Sequence, residues 1–343
     1  MSRGSVAAAD EAAKPFNIGA AWWVPGPHFQ TTWGRYGRSR RLVTFERELL
    51  PTPDGEELVL DHMTGAAGAP RVILLHGLEG SSYAVYMLGL LRLIAAAGWN
   101  ATALNFRSCA RDPSAPRRLL PVRRPRLYHS GETADFDLVV RTLAARAPDM
   151  RLYAVGVSIG GNVLLKWLGE NGARSHIEAA ATISVPYDLR AAAHFLERGA
   201  SRFYVAYFLR TLKRKVVDLL GRFPAETAHL DVQRIRRAPS FAAFDDAATA
   251  PLNGFAGADD YYLRASSLRF LPRIEVPTLC VSSADDPFLP REALDRARGA
   301  ASEDVLFRIT RNGGHAAFIA GLLPWRPRYW AEEQVVAWLR EQR

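Results

Sequence analysis

The chain has only two cysteines, Cys109 and Cys280, among 343 residues, which excludes a disulfide framework and any cysteine-rich zinc cluster. A reducing compartment, and with it a cytoplasmic location, is the expectation. Long apolar runs are also missing. The longest uncharged stretches, such as Leu152 to Leu165 and Asn312 to Trp325, fall well short of the ~20 apolar residues that span a bilayer. The opening residues are interrupted by Asp10, Glu11 and Lys14 and hold no signal-peptide core. Neither a transmembrane helix nor export is expected. The Gly-Lys-Ser/Thr ending of a P-loop is absent, as is any Gly-x-Gly-x-x-Gly, so nucleotide chemistry finds no phosphate cradle.

Lysine is scarce too: only four of the 44 basic residues are lysine, a skew that genomic base composition can produce on its own. Against 35 acids the balance is +9. Six arginines lie between Arg111 and Arg126 in a proline-laced stretch that reads as a loop, with smaller clusters at Arg210 to Lys215 and Arg234 to Arg237. Charge runs of this kind are usually solvated faces. No aromatic residues are interleaved to stack bases, so a nucleic-acid partner is not expected. The partner that loop 111–126 suggests is peripheral contact with an anionic membrane surface.

What is present is ordinary globular composition, 48% hydrophobic and 23% charged, with ample apolar surface to bury. Val43 to Leu49 and Glu57 to His62 alternate as strands around the turn Pro51-Thr52-Pro53-Asp54-Gly55. Beyond them the period changes. Val72-Ile73-Leu74-Leu75 is a short continuous apolar run, the mark of a strand buried on both faces of a parallel sheet. Further strands are expected at Ala101 to Asn105, Leu152 to Val157, Ala179 to Val185, Thr278 to Ser282 and Val305 to Thr310. Helices are expected at Tyr86 to Ala97, from a capping Ser130 through Arg146, at Ile159 to Glu170, and from about Tyr329 to the end. Strands alternating with helices imply a mostly parallel sheet with right-handed crossovers.

Between Asp188 and Pro272 the alternation lapses into helical stretches rich in Phe, Tyr and Arg. The expected organisation is therefore an N-terminal extension (1–40), a core in two pieces (41–187 and 273–343) and an inserted helical cap (188–272). Within the cap, Phe195, Leu196, Phe203, Tyr204, Val205, Tyr207, Phe208 and Leu209 supply more apolar area than a surface helix needs, so part of that face should line a pocket.

Gly156-Val157-Ser158-Ile159-Gly160 has the form Gly-x-Ser-x-Gly and sits between an expected strand and an expected helix, the context that a nucleophile elbow requires. Ser158 is the expected nucleophile. Its neighbour, the Ile159 N–H, would face developing negative charge at a helix start. A serine hydroxyl needs a base, and the base needs a group to fix its tautomer. Of eight histidines only His315 follows the acidic candidates, after Asn312-Gly313-Gly314 and the last strand. Two carboxylates compete for the orienting role in Asp285-Asp286-Pro287. Asp286 is favoured, because proline biases its predecessor toward extended backbone that continues the strand, and Asp285 would then shape the turn. His76-Gly77-Leu78 follows the strand beside the elbow, and the Leu78 N–H is the expected second oxyanion donor. His76 reads as a brace for that loop, Tyr128-His129 as packing around the start of the next helix, and Cys109 as an inert buried thiol.

Several segments together resemble the YheT-like family of α/β-hydrolases: His28-Phe29-Gln30-Thr31-Thr32-Trp33, Leu75-His76-Gly77-Leu78-Glu79-Gly80-Ser81-Ser82, Asn105-Phe106-Arg107, Tyr128-His129-Ser130-Gly131-Glu132-Thr133, Gly160 to Lys166 and Asp285-Asp286-Pro287-Phe288. Phe244-Asp245-Asp246, Ala250-Pro251-Leu252 and Gly254-Phe255, inside the expected cap, resemble it as well. The resemblance covers nearly the whole chain. It implies a cofactor-free, metal-free serine hydrolase of carboxylic esters, medium-chain or lipid-like, with acyl transfer to an alcohol as the alternative outcome. A non-catalytic binder of lipid or partner is the other alternative, and the complete triad argues against it. The sequence departs from the family pattern where Arg-Gly-Cys-Ser is replaced by Arg107-Ser108-Cys109-Ala110. The loop that follows is also longer than usual.

Overall fold

The structure, a computed structural model, describes residues 15–38, 43–115 and 117–342. Residues 1–14 and 39–40 of the expected extension lie outside the described residues, and with them most of the stretch read for a signal peptide. In chain order the elements that position the site are α1 (Pro27–Tyr36), β1 (Glu46–Pro51), β2 (Glu57–Met63), β3 (Arg71–Leu75), α2 (Val85–Ala96), β4 (Asn100–Asn105), α3 (Thr133–Arg146), β5 (Leu152–Val157), α4 (Ile159–Asn171) and β6 (Ile177–Ile183). Helices then follow without an intervening strand, among them α5 (Leu189–Leu196), α6 (Arg202–Arg222), α7 (Val232–Arg237), α8 (Phe241–Phe244) and α9 (Ala258–Ala265). The sheet resumes with β7 (Thr278–Ser283), α10 (Arg291–Ala300) and β8 (Val305–Thr310), and α11 (Trp330–Glu341) closes the chain.

The eight strands lie in the order β1-β2-β4-β3-β5-β6-β7-β8. The β1–β2 and β2–β4 pairs are antiparallel, and every pairing from β4 to β8 is parallel. Period two divides the core: Ile73 and Leu75 join Phe136, Val140 and Leu164 on one face, whereas Val72 and Leu74 join Met87, Leu91 and Val335 on the other. Strands covered on both faces are apolar throughout, which is why Val72 to Leu75 shows no alternation. A third apolar cluster joins Leu196, Val205, Leu209, Val216, Phe244 and Tyr262, from the helices between β6 and β7, to Val122 and Leu127 of the loop after β4.

Local expectations needed three corrections. β1 begins at Glu46, later than Val43, and runs through Pro51, which pairs with Glu57. Proline is tolerated there because β1 is the sheet edge, where one side of the ladder needs no N–H. The helix expected from Ser130 begins at Thr133, and its N-cap residue, Glu132, makes no side-chain cap bond. Ser130 is used otherwise: its N–H donates to the Tyr261 hydroxyl at 2.9 Å, and its carbonyl accepts from Asn162 Nδ2 at 2.7 Å. Helices α1 and α10 were not expected. The second is required by topology, since parallel β7 and β8 cannot be joined by a hairpin, but its Arg- and Ala-rich sequence buries only Ala293, Leu294 and Ala297.

Ser108 accounts for the departure from the family's glycine. Its φ is 64°, in the left-handed region that disfavours a Cβ, and its hydroxyl is buried without a hydrogen-bond partner. Ser108→Gly removes both penalties and restores chain entropy to the unfolded state. The expected net result is a gain of about 1 kcal/mol in denaturant unfolding. A loss of stability would show that the serine makes a compensating interaction.

Candidate active site

The turn from β5 to α4 holds Ser158 at φ 55° and ψ −123°, a conformation with a steric cost for any side chain. The Ser158 N–H donates to Ile183 O at 2.8 Å, anchoring the turn to β6. Glycine is required on both sides of it. A Cβ on Gly156 would lie 2.6 Å from Gly160 O, and one on Gly160 would lie 2.5 Å from His76 O. The chain can therefore turn sharply and present the serine at the C-terminal edge of the sheet.

Three loops at that edge bring the expected residues together. His315 Nε2 is 3.0 Å from Ser158 Oγ, and His315 Nδ1 is 2.9 Å from Asp286 Oδ2. The Asp286 side chain is fully buried and also accepts the Phe288 N–H at 2.8 Å. An ionised carboxylate only accepts, so it selects the tautomer with the proton on Nδ1 and leaves Nε2 free to accept the serine proton. The Phe288 ring stacks on the imidazole at 4.1 Å. Asp285, the competing acid, faces away from the ring: its Oδ1 accepts from the Gly313 and Gly314 N–H groups at 2.9 and 3.1 Å, organising the turn that carries His315.

The other side of the site is the loop after β3. Gly77 packs so closely that a Cβ there would be 3.1 Å from that of Ser158. Nearly all the N–H groups of this loop are committed. Gly77 donates to the Tyr86 hydroxyl, Glu79 to the Tyr128 hydroxyl and Gly80 to Gly77 O. Among the described residues, the Leu78 and Ile159 N–H groups have no acceptor within the protein. His76 braces the loop from below, accepting the Phe106 N–H on Nε2 and donating from Nδ1 to Gly77 O. Burial pulls its pKa down to about 3, so it stays neutral.

Some participants carried no sequence signal beyond the family resemblance. Tyr128 does more than pack beside a helix: besides accepting the Glu79 N–H, it donates to Glu79 Oε1 at 3.0 Å. Lys215, from α6, reaches the same carboxylate at 2.7 Å in a buried ion pair that ties the helical segment to the loop. Cys109 lies 3.3 Å from that ammonium, yet burial pushes its thiol up to about 11, which keeps it protonated and inert. Thr31, on α1, accepts the His315 N–H on Oγ1 at 2.9 Å, and Gln30 exchanges hydrogen bonds with the Ile319 backbone in the same loop.

A cavity of about 720 Å³ opens from Ser158 and His315 beneath the helices between β6 and β7. Of the aromatic and apolar residues expected there, Leu196, Phe203, Tyr204, Tyr207 and Phe208 line it. Phe195 does not line it, and Val205 and Leu209 turn inward to the helices' own core, on the side of α6 away from Phe203 and Tyr207. Asp245 also lines the cavity; burial raises its carboxyl to about 6, and it accepts from the Tyr262 and Thr249 hydroxyls.

A mostly parallel sheet carrying a serine elbow, with a histidine and an acid on the following loops, defines an α/β-hydrolase, and the family model for the alpha/beta hydrolase fold matches residues 70–322. The chain is 33% identical over 315 residues to the Escherichia coli (strain K12) protein YheT, covering 91% of this chain and 89% of that one. It is 31% identical over 315 residues to Phospholipase ABHD3 of Bos taurus, covering 90% and 74%. The protein belongs to the YheT-like family of α/β-hydrolases, a group of esterase- and lipase-like hydrolases. The fold is shared with the Pyrococcus furiosus esterase Pf2001, with a TM-score of 0.54 at 15% identity over 96% of this chain and 99% of that one.

Proposed function

We propose that the protein hydrolyses carboxylic esters of medium-chain or lipid-like acyl groups through an acyl-enzyme. The observation that carries this reading is the Ser158–His315–Asp286 chain of hydrogen bonds, 3.0 and 2.9 Å, opening onto a largely apolar cavity of about 720 Å³. Ser158 Oγ attacks the ester carbonyl carbon as its proton passes to His315 Nε2. The carbonyl oxygen becomes an oxyanion held by the Leu78 and Ile159 N–H groups, both without acceptors among the described residues. Collapse of the tetrahedral intermediate breaks the carbon–oxygen bond to the alcohol, which takes the proton from His315. Water then repeats the sequence: His315 removes its proton, the hydroxide adds to the acyl carbon, and Ser158 leaves reprotonated. Asp286 orients the ring throughout and stabilises the imidazolium. In this reading residues 188–272 are a cap over the acyl pocket.

Two observations support a medium acyl length. The cavity falls within the range that holds drug-sized ligands, and Leu196, Tyr204 and Phe208 give it apolar walls. Each buried methylene adds about 0.8 kcal/mol to binding, so selectivity should climb with chain length until the space is filled. The test is kcat/KM for p-nitrophenyl esters from acetate to palmitate. A maximum at intermediate length is expected, and a flat profile or a preference for acetate would overturn the pocket. Product analysis with ethanol present separates hydrolysis from transfer of the acyl group to an alcohol.

A further inference from the structure

The apolar side chains around the cavity mouth do not all turn inward. On α1, Phe29 and Tyr36 are 62% and 67% exposed and lie two turns apart on one face. On α6, Phe203 and Tyr207 are 80% and 42% exposed and lie one turn apart. The two helices meet here. The Arg35 guanidinium sits 5.0 Å from the Tyr207 ring centre and 5.7 Å from that of Tyr36, and His28 Nδ1 lies 3.2 Å from the Tyr204 hydroxyl. Tyr36, Phe203 and Tyr207 also line the cavity, so the aromatic patch is continuous with the route to Ser158.

The charge that α6 places beside this patch has one sign. Along α6 the exposed positions continue from Phe203 and Tyr207 to Arg210 and Arg214, with Arg202 at the start, and no acid occurs before Asp218. Three of the six arginines of loop 111–126 are less free: Arg118, Arg123 and Arg126 are ion-paired to Asp112, Glu57 and Glu132. Among the described residues, Arg202, Arg210 and Arg214 have no ion pair. Exposed aromatics flanked by unpaired arginines match the headgroup zone of an anionic bilayer, where rings sit at the polar–apolar boundary and guanidinium groups meet phosphate.

We propose that the α1–α6 rim is a docking surface for an anionic lipid bilayer, placing the cavity mouth against the membrane. This rests on the ester-hydrolase reading for its purpose, but its test is independent of turnover. Purified Ser158→Ala protein is mixed with phosphatidylcholine vesicles, with or without about 30 mol% phosphatidylglycerol, and bound protein is measured by flotation. Binding to the anionic vesicles is expected, weakening roughly tenfold or more as salt rises from about 50 to 500 mM. Joint replacement of Arg202, Arg210 and Arg214 by Ser should weaken it roughly tenfold or more, and so should Phe203→Ser combined with Tyr36→Ser. An unchanged thermal unfolding midpoint shows that each variant remains folded.

Trp325→Ser is the positional control, since Trp325, 74% exposed, is a large exposed aromatic that lies on neither α1 nor α6. Absence of binding to anionic vesicles would overturn the proposal. So would binding lost through Trp325→Ser but not through the rim variants, or self-association in sedimentation that Phe203→Ser abolishes, which would give the patch to a second copy. Wild-type hydrolysis of a soluble p-nitrophenyl ester, measured without vesicles, reports separately on the catalytic reading.

Discussion

Replacing Ser158 by alanine is expected to lower kcat for ester hydrolysis by about 10⁴-fold or more and to abolish labelling by a fluorophosphonate. The size follows from what is removed. His315 Nε2, 3.0 Å from Ser158 Oγ, would have no nucleophile to deprotonate, and the remaining oxyanion donors could assist only direct attack by water. The fold should survive, because alanine is smaller and the strained turn is held by the Ser158 N–H bond to Ile183 O and by the close approach of Gly156 and Gly160. Turnover of purified Ser158→Ala above a tenth of wild type would show that the elbow is not the nucleophile's seat.

Asp286→Asn should cost roughly 10³- to 10⁴-fold in kcat, and the structure gives the reason in atoms. Asp286 Oδ1 is fixed by the Phe288 N–H at 2.8 Å and lies 3.1 Å from His315 Nδ1, while Oδ2 is the nearer oxygen to that nitrogen at 2.9 Å. With an asparagine, the amide oxygen keeps the Phe288 bond and the NH₂ takes the place of Oδ2. It then donates to Nδ1, the ring proton moves to Nε2, and the base can no longer accept from Ser158. Asp285→Asn should cost far less. Its amide oxygen can still accept from Gly313 and Gly314, and what is lost is the 3.2 Å contact with Asn312 Nδ2. Steady-state kinetics on the two variants decides the assignment, and the reverse ranking would move the orienting role to Asp285.

The juxtaposition of the proposed triad was legible because its parts are local or ordered along the chain. Gly156 and Gly160 flank Ser158 within five residues of sequence, and their necessity follows from the geometry of a single turn. The alternation of buried runs with helices set the sheet and the positions of its C-terminal ends, so that Ser158, Asp286 and His315 could be named without a contact map. Boundaries were less legible. Ser130 has the chemistry of a cap, but Tyr261 and Asn162 take up its backbone groups, partners more than 30 residues away that no local pattern encodes.

By itself, then, the sequence determined the parallel core, the serine turn and the chain order of the residues proposed as nucleophile, acid and base, since the first two rest on hydrophobic period and short-range sterics and the third on the order of the strands that carry them. Tertiary structure decided the rest: Thr31 and Gln30 bracing the histidine loop from α1, Lys215 reaching from α6 to Glu79, and which residues of α6 face the cavity. These depend on how helices distant in the chain come to rest against the sheet edge. A hydrogen bond or buried ion pair forms wherever packing brings complementary groups within about 3 Å, whatever their separation in sequence.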